Sequence, residues 1–124
     1  IYYGMLFFSQ AAHGRVVPTE CTTTANLVSY AVLDDDGTLR VVLVNKDLKR
    51  PVVATVACGS TAKQAEAIRL TAPAVTSTAG VTLAGNAVAA DGTWKPQAGE
   101  DVPCKDGGCV VSVPIASAVL LTIK

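Results

Sequence analysis

The stretch NLVSYAVLDDDGTLRVVLVNK, residues 26–46, sets two apolar runs on either side of three aspartates and a glycine. Asp and Gly form turns, and Val, Leu and Tyr suit a pleated surface, so the stretch predicts an antiparallel hairpin. In its second run Leu39, Val41 and Leu43 fall on one side of a strand, and Val42 and Val44 on the other. Both sides are apolar, which predicts a central strand covered on both faces.

The same pattern repeats outward from this hairpin. RVVPTEC, residues 15–21, is short and contains Pro18, as an edge strand does. PVVATVA, residues 51–57, reads as a strand ending at Cys58-Gly59. AEAIRLTAP, residues 65–73, sets Ile68 and Leu70 on one face between charged neighbours. AGVTLAGNAVAADGTW, residues 79–94, reads as two short strands around Gly85-Asn86. CVVSVPIASAVLLTIK, residues 109–124, closes the chain, with Val119, Leu121 and Ile123 alternating against Ser117 and Thr122. About eight short strands separated by turn signals predict a mainly β, antiparallel β-sandwich.

The N-terminal stretch IYYGMLFFSQ, residues 1–10, departs from this pattern. Ile1, Met5, Phe8 and Ala12 share one face of a helix, and Tyr3 and Phe7 form a second stripe beside them. A single short helix is expected, stopping at His13-Gly14, where Gly takes the left-handed cap. The apolar residues 1–12 fall short of the roughly 20 that a membrane span requires. They also lack the basic flank and cleavage site of a secretory signal. What remains for such a stretch is to pack against something.

With 124 residues the chain is one domain by length. Ten basic and ten acidic residues cancel, which leaves no electrostatic basis for binding nucleic acid or an anionic membrane. The four cysteines are Cys21, Cys58, Cys104 and Cys109. Zinc ligands come as closely spaced pairs, and only Cys104 and Cys109 are close, so disulfides are favoured over a metal site. Of the three possible connectivities, Cys104–Cys109 across the CKDGGC turn and Cys21–Cys58 are expected.

Residues able to carry catalysis are few. His13 is the one histidine and stands at a helix end, where capping or surface roles are usual. No Gly-x-Ser-x-Gly elbow or phosphate-binding glycine loop is present. Glycoside cleavage needs two facing carboxyl groups. Glu20 and Glu66 lie in strand patterns, Glu100 lies in a loop, and the aspartates fall mostly in turns. The DDDG stretch fails as a calcium loop, because the position that needs Glu is Leu43. Trp94 is either an exposed sugar platform or, as a Trp after a hairpin more commonly is, packing over the edge of its own sandwich. Tyr30 is expected in the core. No cofactor is called for.

Taken in order, YYGMLFFSQAA, SYAVLDDDGTLRVVLVNKD, AIRLTAPAVTSTAGVTLAGNAVAADGTW and VPIASAVLLTIK resemble the C-terminal part of glycoside hydrolase family 79, the β-glucuronidase and heparanase-like enzymes. The resemblance implies a catalytic (β/α)8 barrel followed by a β-sandwich, with both catalytic glutamates on barrel strands before the matched region. No catalytic residue carries over to this chain. The resemblance further implies that residues 1–13 are the last helix of a barrel and residues 14–124 an accessory sandwich. The partner would then be the barrel of a parent chain, secreted, periplasmic or on the cell surface. Two other readings stand beside it. One is a carbohydrate-binding module gripping polysaccharide through Trp94, Tyr2 or Tyr3. The other is a cell-surface or secreted structural domain that meets a protein partner through the apolar N-terminal face, with Tyr2, Tyr3 and Phe7 as candidate contacts. The cysteines and the CKDGGC loop are not general features of the family.

Overall fold

The computed structural model describes residues 1–60 and 62–124. One helix, α1 (Tyr2–Ala11), precedes nine strands: β1 (Arg15–Val17), β2 (Leu27–Leu33), β3 (Leu39–Asn45), β4 (Val52–Ala57), β5 (Gln64–Thr71), β6 (Thr82–Leu83), β7 (Glu100–Lys105), β8 (Gly108–Val113) and β9 (Ser117–Ile123). Every strand pairing is antiparallel. The order is β1-β2-β3-β9-β5-β7-β8-β4, with β6 added beside β5. The mainly β, antiparallel fold expected from the sequence is present, with its strands joined as one curled sheet. β7 pairs with β5 through residues 100–103 and with β8 through Cys104 and Lys105, so it carries the ladder around the bend.

The hairpin of residues 26–46 forms as read, with Leu33 opposite Leu39 and Leu27 opposite Asn45. Its turn aspartates are engaged locally. The Asp36 carboxylate accepts the Thr38 N–H at 2.8 Å, which holds its carboxyl below the usual range. Asp34 pairs with Arg40 at 3.0 Å. β1 is an edge strand that stops before Pro18, which cannot donate to a ladder.

β3 is covered on both faces, as its sequence predicts. Val41 and Leu43 enter the main core inside the curl, with Val111 and Val113 of β8 and Val119, Leu121 and Ile123 of β9. Val42 and Val44 face the opposite side, beneath the helix. β9 is covered likewise: Ala118 and Leu120 join the helix side, and the strand is buried on both faces, with Ser117 on the parity of Val119, Leu121 and Ile123 and not on that of Thr122. Arg69 spans the open end of the curl, with Nε 3.0 Å from both Glu100 carboxylate oxygens and Nη1 donating to the Ser112 carbonyl at 2.6 Å.

Three local expectations are corrected. Glu100 opens strand β7 and is not in a loop. Residues 79–94 supply only the two-residue β6 and a single bridge from Leu83 to Asn86. The rest of that segment is held by loop hydrogen bonds, such as Asn86 Nδ2 to the Lys95 carbonyl at 2.7 Å, in place of a ladder. Tyr30 is 57% exposed: it lies opposite Val42 on the helix side of β2 but is not part of the cluster packed under α1.

The expected helix stop also differs in mechanism. Ala12 is the C-cap, with its N–H bonded to the Phe8 carbonyl. Gly14 has φ +117° because the chain there passes against the backbone of Leu33, where a Cβ would collide with the carbonyl.

A buried asparagine ties the strands together. Asn45, 1% exposed, donates from Nδ2 to the carbonyls of Arg50 at 3.0 Å and Val113 at 3.1 Å. Its Oδ1 accepts the Asp47 N–H at 2.9 Å. Asp47 in turn accepts the N–H groups of Lys49 and Arg50 and pairs with the Arg50 Nε at 3.0 Å. These bonds, led by the Lys49 N–H, lower its carboxyl to about 2.

Candidate functional site

The distinguishing surface is the outer face of α1. The helix has ten residues, no side-chain N-cap and no charged residue in its first or last turn. A helix so short is marginal in isolation and depends on tertiary packing. That packing comes from one stripe. Phe7 and Ala11 are buried against Leu83, Ala118 and Leu120, with Tyr3 and Leu6 half-buried beside them. The Tyr3 hydroxyl accepts the Val88 N–H at 2.9 Å, which pins the helix to the loop after β6.

The other stripe points away from the sheet. Ile1, Tyr2, Met5 and Phe8 are exposed, Phe8 at 68%. The two stripes read from the sequence therefore have opposite fates: positions 3, 7 and 11 dock, and positions 1, 5, 8 and 12 face outward. Beside the helix lies an apolar depression of about 370 Å³ lined by Tyr3, Val44, Leu70 and Val81, with Leu48 and Val75 exposed at its rim. Tyr3 connects it to the helix, and its ring meets Tyr2 edge-on at 6.1 Å. A largely apolar surface of this kind, with Lys46 as the one charged residue lining the depression, excludes water when covered and is suited to a packed protein contact.

The four candidate contact residues separate accordingly. Tyr2 is exposed and Tyr3 half-buried. Phe7, 6% exposed, is core and not a contact. Trp94 packs into the helix-side cluster, and its indole N–H donates to the Leu83 carbonyl at 3.1 Å. Phe8 and Met5 belong to the surface but were grouped in the sequence only by their spacing. Periodicity identifies a stripe without saying which stripe docks.

The glutamates Glu20, Glu66 and Glu100 are all exposed, and Glu100 is held by Arg69. His13 is exposed, and its carbonyl accepts from Arg40 at 3.2 Å. Among the described residues no helix is long and apolar enough to cross a membrane.

The Cys104–Cys109 disulfide is formed, closing the β7–β8 hairpin over the two-residue turn Asp106-Gly107. Both turn residues have positive φ, as this tight connection requires. The expected Cys21–Cys58 pairing is not formed. Cys21 is an exposed thiol, and Cys58 is a free thiol with its sulfur 3.2 Å from that of Cys109. The register of β4 on β8 places Cys58 there, and nothing local in the sequence foretells it. The sulfurs of Cys58, Cys104 and Cys109 lie within 4.8 Å of one another, but with two of them bonded the group has one thiol to offer a metal.

A family profile described as the glycosyl hydrolase family 79 C-terminal beta domain matches residues 29–120. Among solved structures, a 4-O-α-L-rhamnosyl-β-D-glucuronidase from Fusarium oxysporum 12S is similar at 26% identity and a TM-score of 0.81, over 98% of this chain and 29% of that one. CelM2, a bifunctional glucanase-xylanase from a metagenome library, has a TM-score of 0.61 at 22% identity, over 90% of this chain and 18% of its own. Cel44A, a family 44 endoglucanase from Clostridium thermocellum, has a TM-score of 0.62 at 16% identity, over 90% and 19%. The last two likenesses speak to the fold alone. The chain spans less than a third of each of these proteins. No curated protein sequence matches it.

Proposed function

We propose, from the premise that this chain belongs to the glycosyl hydrolase family 79 C-terminal beta domains, that it is a non-catalytic accessory domain bracing the catalytic barrel of a secreted glycoside hydrolase. The observation that carries the reading is the outward stripe Ile1, Tyr2, Met5 and Phe8, on a helix whose opposite stripe is already docked. A barrel seated on it would bury those rings and complete the second side of α1. Residues 1–13 then act as the joint between two domains, and residues 14–124 as the brace. The likeness to a rhamnosyl-glucuronidase supports a glycoside hydrolase as the parent. The Cys104–Cys109 bridge supports an oxidising, extracellular setting. Polysaccharide binding through Trp94 has less support, since its N–H is engaged and its ring is partly covered.

The test is to express the chain alone and together with the coding region upstream of Ile1. The expected result is no glycosidase turnover by the 124 residues, and activity in the longer protein that Phe8→Glu weakens by destabilising the joint. Turnover by the chain alone, or a longer protein indifferent to Phe8→Glu, would refute the reading.

A further inference from the structure

We propose that Cys58, Cys104 and Cys109 form a thiol–disulfide exchange site, in which the Cys58 thiol enters the Cys104–Cys109 bridge. Three observations support it. The Cys58 sulfur lies 3.2 Å from the Cys109 sulfur, in direct contact with it. Cys109 is fully buried, whereas Cys58 and Cys104 are both half-buried. The shared central sulfur thus belongs to an enclosed residue, and the attacking and leaving sulfurs to half-buried ones. Finally, Cys58 is held in place by its own N–H, which donates to the Gly107 carbonyl at 2.8 Å in the turn that the bridge closes.

The step is balanced within the chain. The Cys58 thiol loses its proton to water, and the thiolate attacks Cys109 Sγ. A Cys58–Cys109 bond forms, the Cys104–Cys109 bond breaks, and Cys104 leaves as a thiolate that takes up a proton. One disulfide and one thiol stand on each side, so neither an oxidant nor a reductant is consumed. The three sulfurs lie within 4.8 Å of one another and are therefore not in line. In-line attack follows a change of the Cys58 side-chain rotamer.

The two bridges constrain different things. Cys104–Cys109 joins residues 5 apart and clips a hairpin that its turn already closes. Cys58–Cys109 joins residues 51 apart and staples β4, the last strand in the sheet order, to β8, its one partner among the described residues. The longer loop restricts the unfolded chain more.

The experiment uses the full chain with Cys21→Ser, which removes the exposed thiol from side reactions. The protein is held without reductant in mildly alkaline buffer, where thiol–disulfide exchange in general is fast. It is then quenched with acid, labelled with excess N-ethylmaleimide and mapped by mass spectrometry. Label is expected on both Cys58 and Cys104, in amounts of the same order, and never on Cys109. Label on Cys58 alone overturns the proposal. A second variant, Cys21→Ser with Cys104→Ser, is expected to form the Cys58–Cys109 bridge in air and lose two hydrogens in mass. Two persistent free thiols in that folded variant overturn it equally.

Discussion

Phe7→Ala and Phe8→Ala form a matched pair: the same ring is removed from adjacent positions of one helix, with opposite surroundings. Phe7 is 6% exposed and packs with Leu83, Ala118 and Leu120; Phe8 is 68% exposed. Removing a buried phenyl ring forfeits about 2–3 kcal/mol of transfer free energy. The cavity left behind raises the total to about 3–5 kcal/mol in well-packed cores. Helix α1 lies on the sheet surface and can settle toward the gap, so Phe7→Ala should sit at the low end, about 3 kcal/mol. That is a large share of a typical domain's 5–15 kcal/mol or so. Phe8→Ala in the isolated chain should change stability by no more than about 0.5 kcal/mol. The assay is guanidinium unfolding followed by far-ultraviolet circular dichroism, with hydrogen exchange at the α1 amides. Phe7→Ala should lower the midpoint and speed exchange through the helix; Phe8→Ala should do neither. Equal losses in the two variants would refute the assignment of the inward and outward stripes.

Further outcomes follow from the same packing. A Cβ at Gly4 meets nothing within 4 Å, so Gly4→Ala should raise stability by about 0.5–1 kcal/mol in a thermal melt. Gly14→Ala puts a Cβ against the Leu33 carbonyl at a positive φ and should cost about 2 kcal/mol or more by the same measurement. Asn45→Ala strips the carbonyls of Arg50 and Val113 of a buried donor and should cost about 2–3 kcal/mol in urea unfolding; a loss below about 0.5 would show those carbonyls reach water. Asp47 has a carboxyl lowered from 3.8 to about 2, so its contribution is complete above the unfolded value and is lost as pH falls through the folded one. Asp47→Asn should therefore flatten the acid limb of the stability profile between about pH 4 and 2; an unchanged slope would remove Asp47 from the acid response.

Much of the fold was legible because its signals are local. The β2–β3 hairpin follows from an Asp/Gly turn between alternating runs, and the β7–β8 hairpin from CKDGGC, where the partners are five residues apart. The double coverage of β3 follows from apolar residues at both parities. The AGNAVAADGTW segment misled because its alternation resembles a strand, while Trp94 and Tyr3 supply hydrogen bonds that hold the segment as a loop. The candidate surface was half legible: residues 1–12 showed two apolar stripes, but not which stripe met the sheet.

The sequence by itself determined the mainly β class, the two hairpins, the edge character of β1 and a short apolar helix, since turn chemistry and side-chain period act over a few residues. Only the tertiary structure decided that one sheet curls through β7, that Phe7 docks while Phe8 does not, that Tyr30 stays uncovered and that Cys58 meets Cys109 and not Cys21. Each of those depends on which strands become neighbours across long stretches of chain, a choice made by the joint burial of the whole core and carried by no local pattern.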